Sequence, residues 1–112
     1  MKDNVVKDKS LEFAVRIVNL YKFLVNEQKE FVMSKQILRS GTSIGANIRE
    51  AEQAQSRADF INKLNIALKE ANETEYWLEL LIRTEYITRE QYESINNCLL
   101  YTSPSPRDAH ES

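Results

Sequence analysis

Between residues 57 and 84 the chain repeats apolar or small residues at intervals of three and four, with no proline or glycine. Side chains at this spacing share one face of an α-helix. About 28 helical residues would measure roughly 42 Å at 1.5 Å per residue. Such a helix must bury its stripe against other helices, and no alternating run predicts a strand. The chain is therefore predicted to be all-α. The stripe consists of Phe60, Leu64, Ala67, Ala71, Thr74, Leu78 and Leu81.

Three more helices are predicted around this one. The first runs from Ser10 to Glu27, and the second begins at Ser34 as its N-cap and carries a stripe that ends at Gln55. The sequences "SRAD" and "TREQ" are capping boxes that open the third and fourth helices. The short connections favour antiparallel neighbours in an up-and-down four-helix bundle. The fourth helix is expected to be truncated.

The first predicted helix has more apolar surface than one buried face requires. A lone amphipathic helix needs one stripe, and this segment carries two. The surplus favours a surface for self-association. One stripe is Leu11, Ala14, Val18, Tyr21 and Val25, and the other is Phe13, Ile17, Leu20 and Leu24.

Residues 98–112, "CLLYTSPSPRDAHES", differ in composition from the predicted bundle domain, residues 1–97. They hold the chain's one cysteine, its one histidine and both prolines. A disordered Ser/Pro tail would have this composition, because proline stops a helix. The segment also resembles translated read-through of a sequencing adapter, which would make it non-native. Neither Cys98 nor His110 is taken as a functional candidate.

Both glycines lie within "RSGTSIGANIRE", residues 39–50. A phosphate loop would need a preceding strand and usually a Gly-Lys-Ser/Thr sequence, and both are missing. Small residues one helical turn apart instead let a second helix approach closely. We expect this helix crossing, with a helix break or a ligand site as alternatives. Asn47 is either a partly exposed polar residue or a buried amide that fixes helix register. The candidate helix-packing residues are Gly41, Ile44, Gly45, Asn47 and Ile48.

The composition disfavours catalysis. Residues 1–97 contain no histidine and no cysteine, which removes Ser-His-Asp triads, cysteine nucleophiles and Cys/His zinc sites. We therefore expect no enzyme, cofactor, metal ion or small-molecule substrate. The net charge of −2 gives no general attraction for nucleic acid. No apolar run approaches the roughly 20 residues of a membrane span, and a charged N-terminus predicts a cytoplasmic protein.

The run from Gln36 to Leu81 resembles the bacterial four-helix-bundle family of 23S rRNA intervening-sequence proteins. Arg39-Ser40, Ser43-Ile44 and Asn47-Ile48 carry the likeness, followed by Phe60, Leu64, Ile66-Ala67, Glu70 and Trp77-Leu78. The resemblance implies a left-handed antiparallel bundle and a ring-like homo-oligomer, pentameric in members of known structure. It implies no settled activity.

Two functions follow as expectations. The first is a non-enzymatic oligomeric scaffold that binds another macromolecule. The second is a protein associated with RNA, linked to 23S rRNA intervening sequences or to a reverse-transcriptase system, in which oligomerisation would gather basic residues. The alternative for those residues is an ordinary charged surface. The candidate nucleic-acid-binding residues are Lys35, Arg39, Arg49, Arg57 and Lys63.

Overall fold

The computed structural model describes residues 2–102, and within this range the protein is all-α, with four helices and no strand. The all-α prediction is therefore confirmed. Helix α2 contacts α1 and α3, and α4 contacts α1 and α3. The most extensive contact is between α2 and α3. The helices are α1 (Lys2–Asn26), α2 (Met33–Glu52), α3 (Arg57–Arg83) and α4 (Arg89–Thr102).

All four helices and the connection before α4 contribute side chains to one apolar core. The predicted stripe of α3 is buried at Ala67, Ala71, Thr74, Leu78 and Leu81, so its three-and-four periodicity does face the interior. Of the two stripes predicted for the first helix, one is entirely buried, whereas the other is exposed at Leu11 and half-buried at its remaining four residues. The fully buried stripe is Phe13, Ile17, Leu20 and Leu24.

The predicted starts of α3 and α4 are confirmed by their hydrogen bonds. The Ser56 hydroxyl accepts from the Asp59 backbone N–H at 3.1 Å. At α4 the capping box is reciprocal: the Thr88 hydroxyl accepts from the Gln91 N–H at 3.1 Å, and the Gln91 side chain accepts from the Thr88 N–H at 2.8 Å. Both helices thus satisfy N-terminal donors with their own side chains.

The predicted N-cap of α2 at Ser34 is wrong. Helix α2 begins one residue earlier, and Ser34 lies in its first turn. The Glu30 carboxylate accepts from the backbone N–H groups of Val32, Met33 and Ser34 at 3.1, 2.8 and 2.7 Å. A negative charge is favourable at this end of the helix dipole. The cap therefore comes from the loop before the helix.

Two other boundaries differ from prediction. Helix α1 begins at Lys2, eight residues before Ser10, because no proline or glycine interrupts this stretch and Val6 packs against the core. Helix α2 ends at Glu52, before Gln55.

Residues 98–102 of the predicted tail continue α4, with Leu99 and Thr102 each only 2% exposed. The rest of that tail, 103–112, lies outside the described residues. Helix α4 has 14 residues against 27 in α3.

The α1–α2 and α3–α4 connections lie at the same end of the molecule. The Gln28 side-chain amide donates to the Tyr86 carbonyl at 2.9 Å and so joins them. Each connection contains one non-glycine residue with positive φ, Lys29 at 55° and Glu85 at 66°. Such residues commonly reverse the chain just after a helix.

Candidate functional site

The two glycines of α2 lie against α1. A Cβ added at Gly41 would stand 2.8 Å from Ile17 Cγ1 and 2.9 Å from Ile17 Cγ2. A Cβ added at Gly45 would stand 3.3 Å from the Ser10 hydroxyl oxygen. Since Ile17 is fully buried and branched at Cβ, it has little freedom to move. The close approach of α1 therefore depends more on Gly41 than on Gly45.

The glycine segment does not form an anion-binding loop. Both glycines lie inside α2, and neither has a positive φ. Their backbone N–H groups therefore point along the helix rather than into a cleft. Ile44 and Ile48 are buried in the core. Asn47 is half-buried, and its side chain donates to the Ser43 carbonyl of its own helix at 2.8 Å.

A buried hydroxyl pair joins α2 to α3. The Thr74 hydroxyl lies 2.9 Å from the Ser40 hydroxyl and 2.8 Å from the Glu70 carbonyl. Both side chains are fully buried. Buried polar groups require partners, so the pair fixes one rotation of α2 against α3. The α3 stripe already contained Thr74, but nothing in the sequence marks Ser40 as its partner.

Arg39 connects α2 to two carboxylates of α3. Its guanidinium lies 3.3 Å from Glu70 and also forms a charge-assisted hydrogen bond with Glu73. The Trp77 indole N–H donates to the same Glu73 carboxylate at 3.1 Å. The hydrogen bond with Glu73 raises the pKa of Arg39. Arg39 and then Trp77 lower the pKa of Glu73. The Tyr76 ring meets Trp77 edge-on at 5.1 Å.

The structure does not gather the five basic candidates into one patch. Lys63 forms an ion pair with Glu50 at 2.9 Å, which raises the pKa of Lys63. Lys35, Arg49 and Arg57 are exposed and have no ion pair within the described part of the chain. Fourteen residues separate Lys35 from Arg49 on α2, or about 21 Å along the helix. A single chain therefore spreads its unpaired cations.

An open groove runs between α1 and α4. Its volume is about 660 Å³, and Leu20, Phe23 and Ile95 supply its apolar lining, with Arg16 and Glu90 among the polar lining residues. Arg16 also crosses to α4, where its guanidinium donates to the Ser94 hydroxyl at 2.9 Å. Among residues 2–102, no three His, Cys, Asp or Glu side chains stand together as metal ligands would. None of the helices in this range is long and apolar enough to cross a membrane.

Comparison with known proteins places these features in a family context. The family model described as 23S rRNA-intervening sequence protein matches residues 2–103. A solved structure, that of a protein with unknown function from the S23 ribosomal protein family of Bacteroides thetaiotaomicron, is 87% identical. The match covers 99% of this chain and 96% of that chain, with a TM-score of 0.92. No curated protein matches the sequence.

The two glycines should tolerate alanine differently. Gly41→Ala should lower the free energy of unfolding by about 1–2 kcal/mol, because overpacking against Ile17 exceeds the gain in helix propensity. Gly45→Ala should either leave the free energy of unfolding unchanged or raise it by up to about 1 kcal/mol, because the nearest neighbour of the added Cβ is the small Ser10 side chain. Urea unfolding followed by circular dichroism measures both. Equal losses would contradict the assignment of the close contact to Gly41.

Glu73 should make stability depend on pH. The pKa of Glu73 is lower in the folded chain than its ordinary value of 4.5. Its ionised form therefore stabilises the fold at a pH above 4.5, and that contribution is lost as the pH falls through the folded pKa. The half-exposed pair is screened by solvent, so the loss should stay below about 1 kcal/mol. Between pH 6 and pH 3, Glu73→Gln should lose less unfolding free energy than the wild type. Glu93→Gln is the exposed control, and a wild-type slope in Glu73→Gln would refute the prediction.

Proposed function

This chain belongs to the 23S rRNA-intervening sequence protein family, and on that premise we propose that it is a non-enzymatic, cytoplasmic helical scaffold that self-associates into a ring-like homo-oligomer. The observation that carries the proposal is the outer face of α1, defined here as Asp8, Leu11, Val15, Val18 and Lys22. Leu11 and Val15 lie one turn apart and are 50% and 53% exposed. Neighbouring apolar side chains left in water on a helix commonly mark a protein interface.

The scaffold proposed for each subunit is an antiparallel, left-handed bundle. The contacts support the antiparallel part. Ser10 meets Gly45 while Ile17 meets Gly41, so residue numbers rise along α1 as they fall along α2. The same reversal relates the Ser40–Thr74 and Glu50–Lys63 contacts of α2 and α3. The left-handed sense and a ring of five rest on the family resemblance.

The absence of catalytic residue types supports a non-enzymatic role. The chain's one histidine and one cysteine both fall in residues 98–112. The polar network of Arg39 with Glu70 and Glu73 joins two helices and holds both carboxylates against one guanidinium. Such a network orients helices and holds no free nucleophile or base.

The mass of the protein in solution tests the scaffold. Light scattering coupled to size exclusion should give one discrete multiple of the 13.1 kDa chain, unchanged between about 5 and 200 μM. A closed ring has a fixed number of subunits, whereas open head-to-tail chains lengthen with concentration. A monomer across this range would end the proposal, and a mass that grows steadily would exclude ring closure.

RNA association is the second candidate function, favoured by Lys35, Arg49 and Arg57, the three of the five basic candidates that form no ion pair within the described residues. Closed symmetry would repeat these spread charges around an oligomer and so multiply phosphate contacts. The net charge of −2 gives the chain no general attraction for RNA. RNA binding would therefore need a local surface formed by these cations.

Filter binding of a single-stranded ribosomal RNA fragment across a salt series tests this function. Each phosphate contact should contribute about −0.7 to the slope of log affinity against log salt. The triple variant Lys35→Ala, Arg49→Ala, Arg57→Ala should flatten the slope. Arg83→Ala and Arg89→Ala, whose side chains are paired with Glu79 and Glu93, should leave it unchanged. No retention of RNA by the wild type would exclude this candidate.

A further inference from the structure

The open groove between α1 and α4 has opposite charges at its two ends. At one end the Arg16 guanidinium crosses from α1 and donates to the Ser94 hydroxyl at 2.9 Å and to the Ser94 carbonyl at 3.5 Å. Glu90 lines the groove one helical turn before Ser94 on α4. The hydrogen bond from Gln28 to Tyr86 joins the connections that follow α1 and precede α4. Glu90 therefore lies at the end of the groove nearer these connections, and Arg16 lies at the far end.

Neither of these two charges is neutralised by a neighbouring side chain. Arg16 bonds only to neutral oxygens of Ser94, and neither Arg16 nor Glu90 forms an ion pair with the described residues. The guanidinium has five N–H donors, so it can still bind a carboxylate while it contacts Ser94. The Glu90 carboxylate can accept from an ammonium or a guanidinium. The groove can therefore hold one ligand that carries both charges.

Apolar side chains line the groove between its charged ends. Leu20 and Ile95 are each 6% exposed and lie deepest, whereas Phe23 is half-buried and more accessible. Covering these side chains would remove apolar surface from water, which favours binding. A complementary ligand therefore has apolar groups between an acidic end and a basic end.

The length of the groove fits two turns of a helix. Arg16 and Phe23 are seven residues apart on α1, or about 10 Å along the helix axis. Residues i and i+7 of another helix span the same length, and they share one face with i+3 and i+4. An extended peptide would need partners for its backbone N–H and C=O groups, which a groove between two helices does not offer. A helix satisfies its own backbone and is therefore the better occupant.

We propose that this groove binds an amphipathic helix of a partner protein, with an acidic side chain at Arg16 and a basic side chain at Glu90. The acidic residue is position i, apolar residues such as leucine fill positions i+3 and i+4 over Phe23, and the basic residue is position i+7. Helices that bind in grooves are recognised through anchors at this spacing. The partner helix runs parallel to α1, so its acidic residue lies nearer its N-terminus, where the helix dipole also favours it. This inference goes beyond the proposed self-association, because the groove is formed within a single chain.

Fluorescence anisotropy with two labelled peptides tests the inference on the full-length protein. Each peptide has capped ends and about 15 residues, mostly alanine, a length at which such sequences begin to form helices. The first carries glutamate at i, leucine at i+3 and i+4, and lysine at i+7, and the second exchanges the glutamate and the lysine. The two peptides have the same composition and net charge. The protein should bind the first several-fold more tightly, because the exchange places like charges together at both ends.

A charge swap in the protein should reverse this preference. The double variant Arg16→Glu, Glu90→Lys should bind the second peptide more tightly than the first. Both residues are exposed, so circular dichroism of the variant should match that of the wild type. Lys22→Glu is the matched control, since Lys22 is an exposed cation of α1 that does not line the groove. It should keep the wild-type preference.

Three results would overturn the inference. They are no binding of either peptide by the wild type, equal binding of both peptides, and a wild-type preference that persists in the double variant. The last of these would place the peptide elsewhere on the protein. None of them bears on the mass measured by light scattering, so the proposed scaffold would stand. A monomeric wild type with the expected peptide preference would overturn the scaffold and support the groove.

Discussion

The close approach of α1 to α2 at Gly41 is the constraint on which the rest of the structure depends. A side chain there would overlap Ile17, which is fully buried. Helix α2 also makes the most extensive contact with α3, where Ser40 and Thr74 share a buried hydrogen bond. A shift of α2 would therefore disturb both neighbours at once. The small residues of α2 set the spacing from which the positions of the other helices follow.

The sequence predicts the elements whose signals are local. The α3 stripe and the capping boxes at Ser56 and Thr88 need only residues within one or two turns, and the structure contains all three. The sequence does not predict the start of α2 correctly, because its cap, Glu30, lies outside the helix, in a connection bent by the positive φ of Lys29. No periodic pattern marks such a loop. Its geometry depends on how α1 ends against the core.

In the candidate site, too, the sequence predicts local features but not the contacts between helices. Sequence alone grouped five basic residues, but helix rotation pairs Arg39 and Lys63 with carboxylates of the facing helix and leaves the other three in solvent. Rotation about a helix axis depends on contacts such as Ser40 with Thr74, which join residues 34 positions apart. Asn47 illustrates the point, because its amide bonds within α2 rather than across helices. Local spacing predicts the helix face on which a residue lies, whereas its contact partner depends on how the helices pack.

The two faces of α1 connect folding to assembly. Its inner face, with Phe13 and Ile17 fully buried, is committed to the core. Its outer face repeats the same spacing with Leu11 and Val15 half in water. A chain of this size buries a limited fraction of its apolar surface, so covering the outer face with another copy adds burial without enlarging the domain.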